Sequence, residues 1–314
     1  MSRKYAAGLD IGGTRTKMGL VYPAQGIVTD YIVFPTEKHD ENAFYQILTH
    51  HMADLKKRNH LASEEIAGLG ISVGSFIYHP EGSIDGMTSM VDFMTPSYPL
   101  KKNIATALGM PAEIDNDARL VGLAEALYGA GRDAHSVLTL TLGTGIGIAM
   151  TIDGKLWGPE ARMHLGGHIR VREAAEAPVL DRRACYCATP GCLESTCAAP
   201  ALEAFACNAL GTSISCPDLF KAAEEGDSSA KDVLHWYLDM LVRGLDQYIY
   251  LYGPDVIVLA GGLAKGLTPF KTALQQRLKA RIAEKRITEL RLAELGDSAG
   301  ILGGALLICG CAQP

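Results

Sequence analysis

The sequence predicts an α/β protein of two lobes, each opening on the same small unit, with a cleft between the lobes. Length is the first ground, since 314 residues exceed what one hydrophobic core usually organises. A repeated pattern is the second. Residues 6–22, AAGLDIGGTRTKMGLVY, run from an apolar stretch through a glycine-rich turn and straight back into an apolar stretch, and residues 136–158, SVLTLTLGTGIGIAMTIDGKLWG, do the same. A P-loop or a dinucleotide fingerprint leads from its glycines into a helix. TKMGLVY carries no helical stripe, so the turn joins two strands.

The remaining elements follow from periodicity and punctuation. A third strand lies near DYIVFPT (30–36), and residues 41–60 place Phe44, Ile47, Leu48 and Met52 at helical spacing. IAGLGISVG (66–74) reads as a buried strand. PLKKNIATALG (99–109) is a short helix with proline near its start and Gly109 just past its end. AEIDND (112–117) is a strand end, and the next helix, with Leu120, Val121, Ala124 and Leu127 on one face, starts at or just after Asn116 and Asp117. From about residue 192 the chain is mainly helical, including a long amphipathic run over 232–253. The strand DVIVLAGG (255–262) and a last apolar helix from about Ser298 complete it. The expected division is a smaller lobe over 1–115, rejoined by the terminal helix 299–314, and a larger one over 116–298.

A net charge of −6 argues against nucleic acid or a polybasic membrane surface as partners and favours small-molecule chemistry. No apolar run approaches the roughly 20 residues that cross a bilayer, and the start of the chain does not read as a signal peptide, so a cytoplasmic location is expected. Eight cysteines in such a chain stay reduced, and their clustering matters more than their number.

Six segments, in one order along the chain, resemble the ROK sugar kinases: LDIGGT (9–14), NDA (116–118), LGTGIG (142–147), GGH (166–168), CYCATPGCLE (185–194) and LAGGLA (259–264). The resemblance implies the actin-like ATPase (ribonuclease H-like) fold, two α/β lobes with mixed five-stranded sheets closing over ATP and a sugar, and a structural zinc loop. It also implies Mg²⁺ as a cofactor, a homodimer, and phosphorylation of a hexose or amino sugar, usually at its 6-hydroxyl. Regulatory members carry an additional N-terminal DNA-binding domain, for which Asp10 stands too early.

Individual residues take roles on that basis. Gly12 and Gly13 let backbone N–H groups approach phosphate oxygens, Thr14 and Arg15 add a hydroxyl and a positive charge, and Asp10 holds Mg²⁺ through water. A plain hairpin turn explains the two glycines equally well on their own. Gly143, Thr144, Gly145 and Gly147 repeat the arrangement. Asp117 is the expected general base, with an N-cap as its other reading, and Asp115 receives no role. Cys185, Cys187 and Cys192 fall within eight residues, and with His168 they form a four-ligand set of the structural zinc type; His168 as a base is the alternative. Cys197, Cys207, Cys216, Cys309 and Cys311 read as incidental thiols. Asn116, His168 and Glu194 match sugar-binding positions of the family, and Gly261 and Gly262 let the adenosine approach, unless they simply turn a strand into a helix.

The sequence also departs from the family. Leu165 stands where a sugar-binding glutamate is usual, GISVGSFIY replaces a Pro-Gly turn, and MVDFMTPSYPL lacks an Asn-Leu-Pro segment. Arg119 and Arg162 replace an asparagine and a small residue, which suits either an anionic sugar or ordinary salt bridges. The expected activity is ATP-dependent phosphorylation of a sugar. A sugar-sensing protein with little turnover is the rival, and a zinc hydrolase is disfavoured because four protein ligands leave the metal no open position.

Overall fold

The computed structural model describes residues 4–86, 91–158, 161–181, 185–286 and 288–310, with no side-chain description for 161–164 and 285. In chain order the strands and helices are β1 (Tyr5–Ile11), β2 (Arg15–Tyr22), β3 (Ile27–Pro35), α1 (Glu41–Arg58), β4 (Ile66–Val73), the short pair β5 (Ile77–Tyr78) and β6 (Ser83–Ile84), α2 (Leu100–Leu108), β7 (Ala112–Asn116) and α3 (Asp117–Tyr128). They continue as β8 (Ser136–Leu142), β9 (Ile146–Ile152), β10 (Lys155–Leu156), α4 (Pro178–Asp181), α5 (Leu193–Cys197), α6 (Ala199–Leu210), α7 (Cys216–Glu225), α8 (Ser228–Tyr252), β11 (Val256–Ala260), α9 (Gly262–Gly266), α10 (Lys271–Lys279), β12 (Glu289–Leu292) and α11 (Ala299–Ile308). No helix among the described residues is long and apolar enough to cross a membrane.

Two five-stranded sheets share one plan. The first runs β3-β2-β1-β4-β7 and the second β10-β9-β8-β11-β12. In the first, β1, β2 and β3 form an antiparallel meander while β4 and β7 run parallel to β1. In the second, β11 runs parallel to both β8 and β12. Parallel strands covered on both faces read as continuous apolar runs, which is why β4 and β11 are buried almost throughout.

The chain forms two compact units. One comprises Met1–Asp133, Ala149–His164 and Leu295–Pro314, and the other Ala134–Ile148 and Leu165–Glu294. Helix α3 and residues 149–164 thus group with the N-terminal elements, and the expected border at 115/116 falls inside the first unit. The physical reason is burial: α3 has an almost wholly buried face, and it packs on α11.

In the first unit the sheet is covered on two sides. On one side Phe44, Leu48, Met52 and Leu55 of α1, with Leu100 and Ile104 of α2, meet Leu9, Met18, Leu20, Leu69 and Ile71 of the sheet. On the other, Leu120, Leu123 and Ala124 of α3 meet Ile301, Leu302, Ala305 and Leu306 of α11. Helix α11 lies on the sheet at backbone distance. A Cβ at Gly8 would sit 1.9 Å from the Ile301 carbonyl oxygen, one at Gly70 1.6 Å from that of Gly304, and one at Gly303 2.1 Å from that of Leu120.

Such a seam tolerates no added methyl, because the atom it meets is backbone. Gly70→Ala is expected to cost about 3 kcal/mol, the upper part of the range for overpacking, read as a lowered unfolding midpoint in urea. An unchanged midpoint would show that the helix can lift from the sheet freely.

Candidate active site

The first hairpin presents its glycines at a strand end. β1 and β2 pair through Ile11↔Thr16 and Asp10↔Lys17, and the loop is closed by Gly12 N–H donating to Arg15 O at 3.2 Å. Thr36 braces it from β3's end, its hydroxyl donating to Gly12 O at 2.7 Å and its N–H to Thr14 O at 3.1 Å. Thr14 and Arg15 are exposed. Asp10 accepts from the Ser72 hydroxyl at 2.8 Å and lies 3.3 Å from the Lys17 ammonium, which also donates to Asp297 O. Gly300 of α11 presses on this carboxylate, since a Cβ there would come within 2.6 Å of it.

Asp117 opens α3 in the same unit. The helix cap is Asn116, whose side chain accepts the Ala118 N–H at 3.0 Å while its amide donates to Ser75 O. Asp117 Oδ1 accepts that same N–H at 2.8 Å, and the Asn116 side chain and the backbone at 117 also hydrogen-bond the carboxylate. The capping reading therefore falls mainly on Asn116. Asp117 is exposed by surface area, yet its carboxyl is hemmed in by protein, with Gly74 so close that a Cβ there would lie 3.3 Å from Oδ2. That crowding, and then the negative charge of Asp10, push its pKa up to about 6.

Asp115, which sequence reasoning left without a role, anchors the same turn. Its buried carboxylate accepts from Arg119 Nε at 3.0 and 2.9 Å and from the Asn116 N–H at 2.7 Å. Its carboxyl stays below the usual range despite burial, because His79, the Arg119 charge and these bonds outweigh desolvation. Arg119 is thus spent on an internal ion pair, which accounts for it without an anionic substrate. The side chain of Arg162 lies outside the described residues, as does Cys311.

In the second unit the hairpin of β8 and β9 turns at Gly143–Gly145. Gly143 N–H donates to Gly145 O at 3.1 Å, and the Thr141 hydroxyl exchanges bonds with Gly147 across it. Thr144 and Gly145 are exposed. Gly261 joins β11 to α9 at φ +89°, with its Cα side so near Leu142 that a Cβ would meet that carbonyl oxygen at 2.4 Å; Gly262 faces open space. The strand-to-helix reading of Gly261 is therefore sufficient for its conformation.

His168, Cys185, Cys187 and Cys192 gather their donor atoms within 4.8 Å of one another. His168 Nδ1 is 3.5 Å from Cys185 Sγ and 4.0 Å from Cys192 Sγ, near the roughly 3.7 Å edge of a tetrahedral site with Zn–S bonds of about 2.3 Å. His168 Nε2 pairs with the Tyr186 hydroxyl at 2.6 Å, fixing the ring with Nδ1 toward the sulfurs. Burial holds the imidazole below its usual pKa and hence neutral, the form that binds a metal. The donor set fits Zn²⁺. Glu194 follows this loop on α5 and accepts from the Ile146 N–H at 2.9 Å and the Cys185 thiol at 3.3 Å. Leu165 is half-buried and offers no acceptor.

The model of the ROK family matches residues 6–310. The chain belongs to the ROK family. A glucokinase from Halalkalibacterium halodurans is 30% identical, the match covering 98% of this chain and 96% of the relative. An N-acetyl-D-glucosamine kinase from Aliivibrio salmonicida is 28% identical, over 96% and 98%. The crystal structure of a ROK hexokinase from Thermus thermophilus superposes with a TM-score of 0.81 at 26% identity, covering 96% of this chain and 97% of that one. The fold is the actin-like ATPase fold of that family.

Lys17, Ser72, Asp115 and Tyr186 were not singled out from sequence. Lys17 was findable, because counting back from the hairpin turn sets it opposite Asp10. The Ser72 contact depends on the β1–β4 register, which no local pattern encodes.

Two outcomes test these placements. Arg119→Ala removes the guanidinium from a buried carboxylate and leaves it only His79 and the Asn116 N–H, and should cost about 3 kcal/mol of unfolding free energy, with urea denaturation as the measurement. Elemental analysis should find one zinc per chain, and Cys187→Ser should reduce that content. A fully active, metal-free protein would contradict the zinc reading.

Proposed function

We propose that this ATP-dependent carbohydrate kinase transfers the γ-phosphoryl group to the 6-hydroxyl of a hexose or amino sugar, with Asp117 as general base. One observation carries the assignment: an aspartate exposed by surface area, at a helix start that Asn116 already caps, whose pKa is pushed up to about 6 by the crowding of its carboxyl and then by the charge of Asp10. A carboxylate of that pKa is ionised near neutrality and still basic enough to take an alcohol's proton as the oxygen becomes a nucleophile. The sugar hydroxyl gives its proton to Oδ2, its oxygen forms a bond to the γ-phosphorus, and the bond to the bridging oxygen of ADP breaks.

Phosphate oxygens are assigned in this reading to Gly12, Gly13, Thr14 and Arg15 of the first hairpin and to Gly143, Thr144 and Gly145 of the second. Gly261 and Gly262 would stand beside the nucleoside. Asp10, fixed by Ser72, would position Mg²⁺ through water; the ion supplies charge neutralisation on the phosphates. Asn116, His168 and Glu194 are the sugar contacts of this reading. Zn²⁺ on His168, Cys185, Cys187 and Cys192 shapes the loop and takes no part in the transfer. The enzyme is read as a cytoplasmic homodimer, where its free thiols stay reduced.

ADP release measured across hexoses, amino sugars and sugar acids tests the activity, and binding without ADP on all of them would favour a sensor. Asp117→Asn should lower kcat by at least about a thousandfold with ADP affinity retained, in keeping with the loss of a general base. The wild-type kcat/KM should be flat above pH 7 and fall about tenfold per pH unit below roughly 6, as the base becomes protonated. Removing the negative charge in Asp10→Asn should move that limb to lower pH, because the neighbouring charge is one of the two influences that raise it. A limb that stays in place would separate the titration from Asp117.

A further inference from the structure

Two contacts from the cysteine-histidine cluster converge on one residue of the second hairpin. Ile146 is the first residue of β9 and directly follows the Gly143–Gly145 turn. Its N–H is accepted by Glu194 Oε2 at 2.9 Å, while Glu194 Oε1 accepts from Cys185 Sγ at 3.3 Å. Its carbonyl lies against Gly167, where a Cβ would come within 2.0 Å of the oxygen, and the next residue is His168. Gly145 stands so near Glu194 that a Cβ there would lie 2.8 Å from Oε2. Ala199, at the start of α6, adds a bond from its N–H to Gly143 O at 2.8 Å.

We infer that Glu194 is a positioning residue that couples occupancy of the zinc site to the geometry of the Gly143–Gly145 turn. Cys192 is both a candidate ligand and the N-cap of α5, its sulfur accepting the Ser195 N–H. A metal that pins Cys192 therefore pins the helix start from which Glu194 projects. From there the Ile146 N–H bond ties Glu194 to the turn, so that order at the helix start is passed to the hairpin. A charge-assisted bond of this kind outweighs a neutral one. The carboxylate has acceptor capacity beyond these two bonds, so a sugar hydroxyl can still reach it.

The coupling stands on contacts within one unit; only its consequence for nucleotide rests on the phosphate role proposed above. Amide exchange resolved over residues 143–148 measures it in zinc-loaded protein, in chelator-stripped protein, and in Glu194→Ala and Glu194→Gln. Stripping and Glu194→Ala should each accelerate exchange over 143–148 about tenfold, as expected for losing a hydrogen bond to a charged group. Together they should do no more than either alone. Glu194→Gln keeps an acceptor oxygen and should retain protection. Exchange over 256–260 in β11 should not change. The inference is overturned if stripping leaves 143–148 unaltered, if the two effects multiply, or if β11 responds equally. ADP affinity without sugar, measured by calorimetry, should weaken about tenfold in parallel with the exchange; a turn that loosens without loss of ADP affinity would support the coupling and sink the phosphate role of the turn.

Discussion

The first unit depends on one steric constraint, the close approach of α11 to the strands and helix beneath it. Gly8 and Gly70 in the sheet and Gly303 and Gly304 in the helix are positions along this seam at which a Cβ would enter a neighbouring backbone. Dispersion contacts fall off steeply with separation, so a helix seated this low gains along its whole length what a lifted helix would lose. The same seating fixes function-bearing groups. With Ile301 on Gly8 and Gly304 on Gly70, Gly300 comes down on Asp10, and Gly303 on Leu120 sets α3, whose first residue is Asp117. The helix formed by the last described residues thus positions two carboxylates that sit far from it in sequence.

Charge then distinguishes the two hairpins that the fold duplicates. In the first, the residue two before the glycines is Asp10, with Lys17 opposite and Ser72 alongside. At the corresponding place in the second stands Thr141, which closes its own hairpin by bonding Gly147. One turn therefore carries a carboxylate and the other is neutral, braced by Glu194. Asp10 also acts on Asp117: after the crowding of the carboxyl, which is the larger influence, its charge discourages a second negative charge nearby and helps lift the proposed base to about 6. The neighbouring Asp115 shows the opposite case, where His79 and then Arg119 outweigh burial and hold the carboxyl below the usual range.

Local patterning made much of this legible. The two glycine turns, the apolar strands 66–73 and 256–260, and the helix 41–58 each announce themselves within a dozen residues, as does the close spacing of Cys185, Cys187 and Cys192. What escaped depends on register and on long-range packing. Asp115 looked idle because the helix start breaks the strand's period, and its partner Arg119 lies one helical turn further on, visible only once α3 is known to begin at Asp117. The same helix was expected in the lobe 116–298 and groups with the N-terminal elements: an amphipathic stripe says that a face is buried, and only tertiary contacts say against what.

The departures from the family can be weighed by what each side chain now touches. Arg119 is buried and its Nε is paired with Asp115, which accounts for it without an anionic sugar. Leu165 is different in kind, because it removes an acceptor and puts nothing polar in its place. A site built around a hydroxyl contact loses discrimination when its partner vanishes, whereas an apolar wall in its stead favours a substituent that needs no hydrogen bond. Glu194, with both oxygens already accepting protein bonds, can compensate only in part. The expected consequence is a shift in sugar preference rather than a loss of phosphoryl transfer, since Asp117, Asp10 and the glycine turns make their own contacts without Leu165. Leu165→Glu should then alter the ratio of kcat/KM between a hexose and its N-acetyl amino counterpart while leaving ADP affinity unchanged. A ratio that stays the same would place the choice of sugar elsewhere.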